Sequence, residues 1–289
     1  MKSVAIRAGG LAGAILLIVL SGAFTVRAAE RISDHIDATW FRTTTLDTID
    51  HYLASAPTPN GFFQTTLDRQ WNPDVGHYNT VICQSRQIYI FSLAHRLTGN
   101  AKYLPAIQDG ADFLLSGFYD DPGSGGYGGW FYMVNPDGSV HRDEKISYGQ
   151  AHTCYALARA YRQTGNADYL AGAYEAWSVL DTHFKDAYGG YPWETERDFT
   201  VVSRGNGLNQ MMHIFEAAMT LYDVTGSADM FNEAVRIGDF ITQTMYRDQP
   251  GHPGKGYIPD AYYDNWTAKT SGDGDFHSVL LRYGSAIPH

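Results

Sequence analysis

Cysteine is almost missing from this chain: Cys83 and Cys154 are the only two in 289 residues. Two cysteines make no disulfide framework, and no Cys/His run has the spacing of a metal site. They can join each other only where their Cα atoms come within about 7 Å; two small buried thiols are the other outcome. Basic clusters are missing too. Net charge is −10, with 21 Lys+Arg against 31 Asp+Glu, and no basic stripe is present to hold nucleic acid. Long apolar runs are confined to the start, where Lys2 and Arg7 flank the run from Leu11 to Leu20 and Val26-Arg27-Ala28 follows. That pattern predicts a cleaved secretory signal over residues 1–28. Its apolar core is too short for a stable bilayer span, and an uncleaved anchor is the alternative. No later stretch is apolar enough to cross a membrane, so the mature chain is expected to be soluble and periplasmic or secreted.

What the chain has in abundance is aromatic rings, 14% of residues with 20 Tyr and 6 Trp, enough both to fill a core and to line a pocket. It also carries a recurring mark: Thr98-Gly99-Asn100, Thr164-Gly165-Asn166 and Thr225-Gly226-Ser227, 66 and then 61 residues apart. Each follows an apolar and aromatic helical pattern and precedes a second one. The repeating unit is a helical hairpin, which predicts a stacked or toroidal all-α domain over residues 29–289.

Helices are predicted over 33–53, 80–97, 103–118, 146–162, 168–184, 208–224 and 229–245, with a short hint at 276–282. Seven helices are too few for a ring of six hairpins. "GFFQTTLDRQW" reads as an extended segment and turn. Loops rich in glycine follow the return helices, and the first is expected to bring Trp130 and Phe131 to one rim. Loops on one side of successive hairpins should converge on a mouth where a ligand binds.

The densest chemistry lies in "GLNQMMHIFEA", where Asn209, His213 and Glu216 fall at i, i+4 and i+7 on one helix face. A neutral imidazole held by a carboxylate is a proton shuttle near neutral pH; a core histidine satisfied by its neighbours has the same spacing. Tyr148, His152 and Tyr155 repeat that spacing on another leading helix. Arg86 sits among Ile82, Ile88, Ile90 and Phe91, an expensive place to bury a cation unless oxygen-rich groups meet it or it pairs with Glu216 or Asp68. His252, flanked by prolines in a loop, carries little weight.

From Gly61 to Tyr246, "GFFQTTLD", "QSRQIYIFS", "YGQAHTCYALARAY", "GGYPWE" and above all "NQMMHIFEA" resemble, in order and spacing, the N-acylglucosamine 2-epimerase, mannose isomerase and cellobiose 2-epimerase family. The resemblance implies an (α/α)6 barrel and proton transfer at the carbon next to a sugar carbonyl, through an enediolate. It puts His213 on one of two acid–base histidines, Glu216 on its acidic companion and Arg86 on the arginine that steadies the oxyanion. Asn209, Tyr148, His152, Trp130 and Trp193 become candidates for holding the sugar. In the family the second histidine lies in a C-terminal Pro-Gly-His-x-x-Glu-Trp helix. This chain ends at "GSAIPH", with His289 where that motif would begin, so the last hairpins and that histidine are expected to be missing.

The expected activity is 2-epimerisation or aldose–ketose isomerisation of a free mono- or disaccharide, with no cofactor and no metal. Two other readings compete. A glycoside hydrolase or lyase on a similar toroid would use two carboxylates drawn from Asp68, Asp143, Glu144, Glu194 and Glu196. A sugar-binding remnant would bind without turnover. Phosphorylated sugars fit poorly, because no phosphate-cradling glycine loop is present.

Overall fold

A computed structural model of the chain describes residues 37–203, 205–248, 256–259 and 261–269. The expected secretory signal, the 276–282 helix, His252 and His289 lie outside the described residues, as does the start of the helix expected over 33–53. Seven α-helices are present among the described residues: α1 (Ala38–Ser55), α2 (Val81–Thr98), α3 (Leu104–Phe113), α4 (Ser147–Thr164), α5 (Ala167–Val179), α6 (Leu208–Thr225) and α7 (Ala228–Asp239). None is long and apolar enough to cross a membrane. The described chain parts into two units within α1, between Thr48 and Ile49.

The repeated Thr-Gly-Asn/Ser mark is one turn made three times. Gly99, Gly165 and Gly226 adopt left-handed φ values of 66°, 73° and 71°, and their N–H groups bond the carbonyls of His95, Tyr161 and Tyr222. Each threonine hydroxyl donates to the carbonyl four residues back and accepts from the N–H two residues on. Asn100, Asn166 and Ser227 then cap the returning segment. A Cβ at Gly165 would meet nothing within 4 Å, so its side-chain penalty is conformational alone. Gly165→Ala is expected to destabilise by about 1 kcal/mol in urea unfolding; a gain in stability would contradict the left-handed cap.

Leading helices α2, α4 and α6 pack in a row, α4 in the middle, and α3, α5 and α7 return against their partners. All three return helices end alike. Their final turns widen into π-helical hydrogen bonding over Leu114–Phe118, Leu180–Phe184 and Phe240–Met245, where the sequence predicted continuous α-helix.

Short antiparallel strands fix the start of each leading helix. Asn79–Thr80 pairs with Met133–Val134, Lys145–Ile146 with Glu194–Thr195, and Asn206–Gly207 with Ala261–Tyr262. Each leading helix is thus tied at its N-terminus to the loop that follows the next return helix. Thr80 caps α2 by accepting from the Cys83 N–H at 3.1 Å, and isolated bridges fold 57–73 into the expected extended turn.

Candidate active site

The N-terminal turns of α2, α4 and α6 bring most of the candidate residues together. The His152 and His213 rings lie 4.5 Å apart between centroids, and Tyr148 stands 4.2 Å from His152 and 4.9 Å from His213. Arg86 donates from Nη2 to the Tyr148 hydroxyl at 2.6 Å, and Trp193 stacks on Tyr148 at 5.5 Å. Asn209 completes the group. Burial raises the Tyr148 phenol above its ordinary value, and Arg86 and Asn209 pull it the other way. Tyr155 packs 4.9 Å from His152, and Tyr89, which the sequence did not single out, lies 5.6 Å beyond it.

Both histidine tautomers follow from their partners. His213 Nδ1 lies 2.8 Å from Glu216 Oε2; a carboxylate only accepts, so Nδ1 carries the proton and Nε2 keeps the lone pair when the ring is neutral. His152 Nδ1 likewise donates to the Tyr148 carbonyl at 2.8 Å. The environments differ. His152 is fully buried and reaches no solvent; His213 is 9% exposed with its Nε2 itself covered, and Glu216 and Arg86 are open to solvent. Burial first, and the neighbouring His213 second, hold the His152 imidazole well below its ordinary pKa.

His152 is therefore a neutral prop beneath His213, and this has a pH consequence. The unfolded chain takes up a proton at this ring near pH 6.5, while the folded chain does so only well below that. The stability it confers is complete above about pH 6.5 and declines as pH falls, by up to about 1.4 kcal/mol per unit. His152→Asn, which keeps a donor for the Tyr148 carbonyl, is expected to flatten the slope of urea-unfolding stability between pH 7 and 5. An unchanged slope would show that the ring takes up its proton without opposing the fold.

Two expectations need correction. Trp130 does not reach a rim: it is 1% exposed, its indole N–H donates to the Leu114 carbonyl, and its backbone is held from both sides by the Gln150 amide. Phe131 is buried with it. Arg86 is exposed rather than enclosed by isoleucines, so it has no burial cost to offset, and its partner is Tyr148 instead of Asp68. Asp68 is engaged within its own turn, accepting from Gln70 and Asn72. Cys83 and Cys154 are both free thiols. Of the carboxylates considered for hydrolysis, Glu144 pairs with Arg142, while burial and then Glu144 hold Glu194 above the usual carboxylate range.

A buried ionic knot at the loop bases has no counterpart among the sequence motifs. Lys145, with no exposed side-chain surface, donates to Asp120 at 2.8 Å and to the Arg197 carbonyl at 2.7 Å. Arg197 closes on the other Asp120 oxygen at 2.7 Å. The glycine-rich loop cradles that carboxylate: the Tyr127 N–H donates to it, and a Cβ at Gly126 would lie 2.3 Å from it. No group of His, Cys, Asp and Glu among the described residues could hold a metal ion.

Helical hairpins in a row, with an imidazole, a guanidinium and tyrosines converging from the leading helices, define an all-α protein of the (α/α)6-toroid class. The chain belongs to the N-acylglucosamine 2-epimerase family, whose model matches residues 61–284. It is similar to a cellobiose 2-epimerase of Ruminococcus albus, 27% identical over 177 residues, covering 58% of this chain and 43% of that protein. A D-mannose isomerase of Marinomonas mediterranea is 29% identical over 201 residues, covering 68% and 48%. The solved cellobiose 2-epimerase of Bacillus thermoamylovorans shares the fold with a TM-score of 0.71 at 20% identity, over 84% of this chain and 69% of that one. The chain spans about half the length of these curated relatives.

Proposed function

We propose that this protein is a sugar 2-epimerase or aldose–ketose isomerase acting on a free mono- or disaccharide, exported by removal of residues 1–28. The observation that carries this reading is His213, its tautomer fixed by Glu216, beside the Arg86–Tyr148 pair. His213 Nε2 takes the hydrogen from C2 of the open-chain aldose. The C–H electron pair becomes the C1–C2 double bond, and the carbonyl pair moves to O1. Arg86, joined to Tyr148, steadies that oxygen, where charge develops. Passage of the O2 hydroxyl proton to O1, with return of the carbon-bound proton to C1, gives the ketose; protonation of C2 by a donor on its other face, with the carbonyl re-formed at C1, gives the epimer. Trp193 and Tyr148 offer ring faces to the sugar's C–H surface.

Incubation of the full chain with mannose, glucose, N-acetylglucosamine or cellobiose in deuterated water tests this reading. Deuterium should replace hydrogen at C2, seen as loss of the H2 proton resonance. Retention of H2 in every sugar sinks the proposal, and release of new reducing ends from an oligosaccharide would point to hydrolysis instead.

A further inference from the structure

Two turns further along α2 and α4, beyond Tyr89, lies a cavity that the chemistry above does not use. Its volume is about 40 Å³, and Tyr89, Ser92, Leu93, Arg96, Arg159 and Gln163 line it. That is room for a few atoms, well above what a single water needs.

Leu93 and the Tyr89 ring form its apolar side, and its other side carries hydrogen-bond donors. Ser92 is 2% exposed, and its hydroxyl has no hydrogen-bond partner among the described residues. The Arg159 Nε–H is buried and equally without a partner among them. Gln163 uses its carbonyl oxygen on the His95 ring at 2.7 Å, which leaves its two amide N–H groups for another acceptor. Arg96 adds a second guanidinium. No carboxylate lines the cavity; Asp223 takes Arg159 at 3.0 Å and Arg162 as well. Arg159 and Arg162 therefore share one carboxylate, and Arg96 is in no ion pair among the described residues, in a chain whose net charge is −10.

A buried hydroxyl and a buried guanidinium N–H both call for an acceptor. A water would satisfy those donors yet leave the excess positive charge, whereas a small anion answers both. We propose that this cavity is a binding site for a small monovalent inorganic anion of chloride size. Ser92, the Arg159 Nε–H and the Gln163 amide are its donors, and Arg96 supplies charge at the mouth. The anion ties the C-terminal halves of α2 and α4 together. This site is separate from His213 and does not depend on the sugar reading.

Crystals of the full chain soaked in bromide test it, together with thermal unfolding in chloride against gluconate at constant ionic strength. Bromide should give an anomalous peak within hydrogen-bond reach of Ser92 Oγ and Arg159 Nε, and chloride should raise the unfolding temperature to a plateau. Arg96→Gln, at an exposed position, should weaken halide binding on the order of tenfold and leave unfolding in gluconate unchanged. Asp223→Asn, which removes the competing carboxylate, should tighten it. An ordered water at this position in bromide-soaked crystals, or equal chloride responses in the parent and Arg96→Gln, would overturn the proposal.

Discussion

His213→Gln is expected to slow deuterium exchange at the sugar C2 by about 10²–10⁴-fold while the chain stays folded. Gln fills similar space and can keep a hydrogen bond to Glu216, but it has no lone pair basic enough to take a carbon-bound hydrogen. Glu216→Gln is milder. Its amide oxygen still accepts from His213 Nδ1, so the tautomer survives and only the carboxylate's stabilisation of the imidazolium is lost. The order of rates, parent above Glu216→Gln above His213→Gln, is the diagnostic result. Should His213→Gln exchange as fast as the parent, the base lies elsewhere.

The hairpin repeat was legible because its signal is local. A threonine, a left-handed glycine and a capping residue write each turn into three letters, and all three copies behave alike. The spacing of Asn209, His213 and Glu216, and of Tyr148, His152 and Tyr155, was legible for the same reason: helical periodicity fixes which residues share a face. The π-helical ends of the return helices were not, because five or six residues hold too little periodicity to separate a wide turn from an ordinary one. Two-residue strands are shorter than one alternation, so the ladders that seat the leading helices left no pattern either.

Trp130 and Arg86 failed in opposite directions. Each was judged by its neighbours in sequence, whereas Gln150, twenty residues away, buries the first, and the opening beside Tyr148, sixty-two residues away, exposes the second. The buried knot is the extreme case: Asp120 and Lys145 lie near opposite ends of one segment between hairpins and Arg197 lies in the next, 25 and 52 residues apart in sequence, and no short motif joins them.

That knot sets the largest expected stability effect, and its two sides are unequal. Asp120 alone faces two cations. Burial raises its carboxyl, but the hydrogen bonds from Arg197 and Lys145 outweigh that and hold it below the usual range. Burial lowers the Lys145 ammonium, with Asp120 opposing. Asp120→Asn leaves the fully buried Lys145 without its counterion, and the expected loss is about 3–5 kcal/mol in urea unfolding. Lys145→Met leaves Asp120 still closed on Arg197, puts an apolar chain against the Phe199 ring that Lys145 now overlies at 4.2 Å, and should lose less than half as much. The double variant should recover most of the Asp120→Asn loss, because no buried ammonium remains to be matched. Lys145 lies two residues before Ser147, whose N–H donates to the Trp193 carbonyl at 2.9 Å, so slackening the knot should also blur the stacking of Trp193 on Tyr148. Equal losses for the two single variants, or a strictly additive double, would mean that the three charges act as separate surface contacts and that the loop bases are held by their backbone ladders alone.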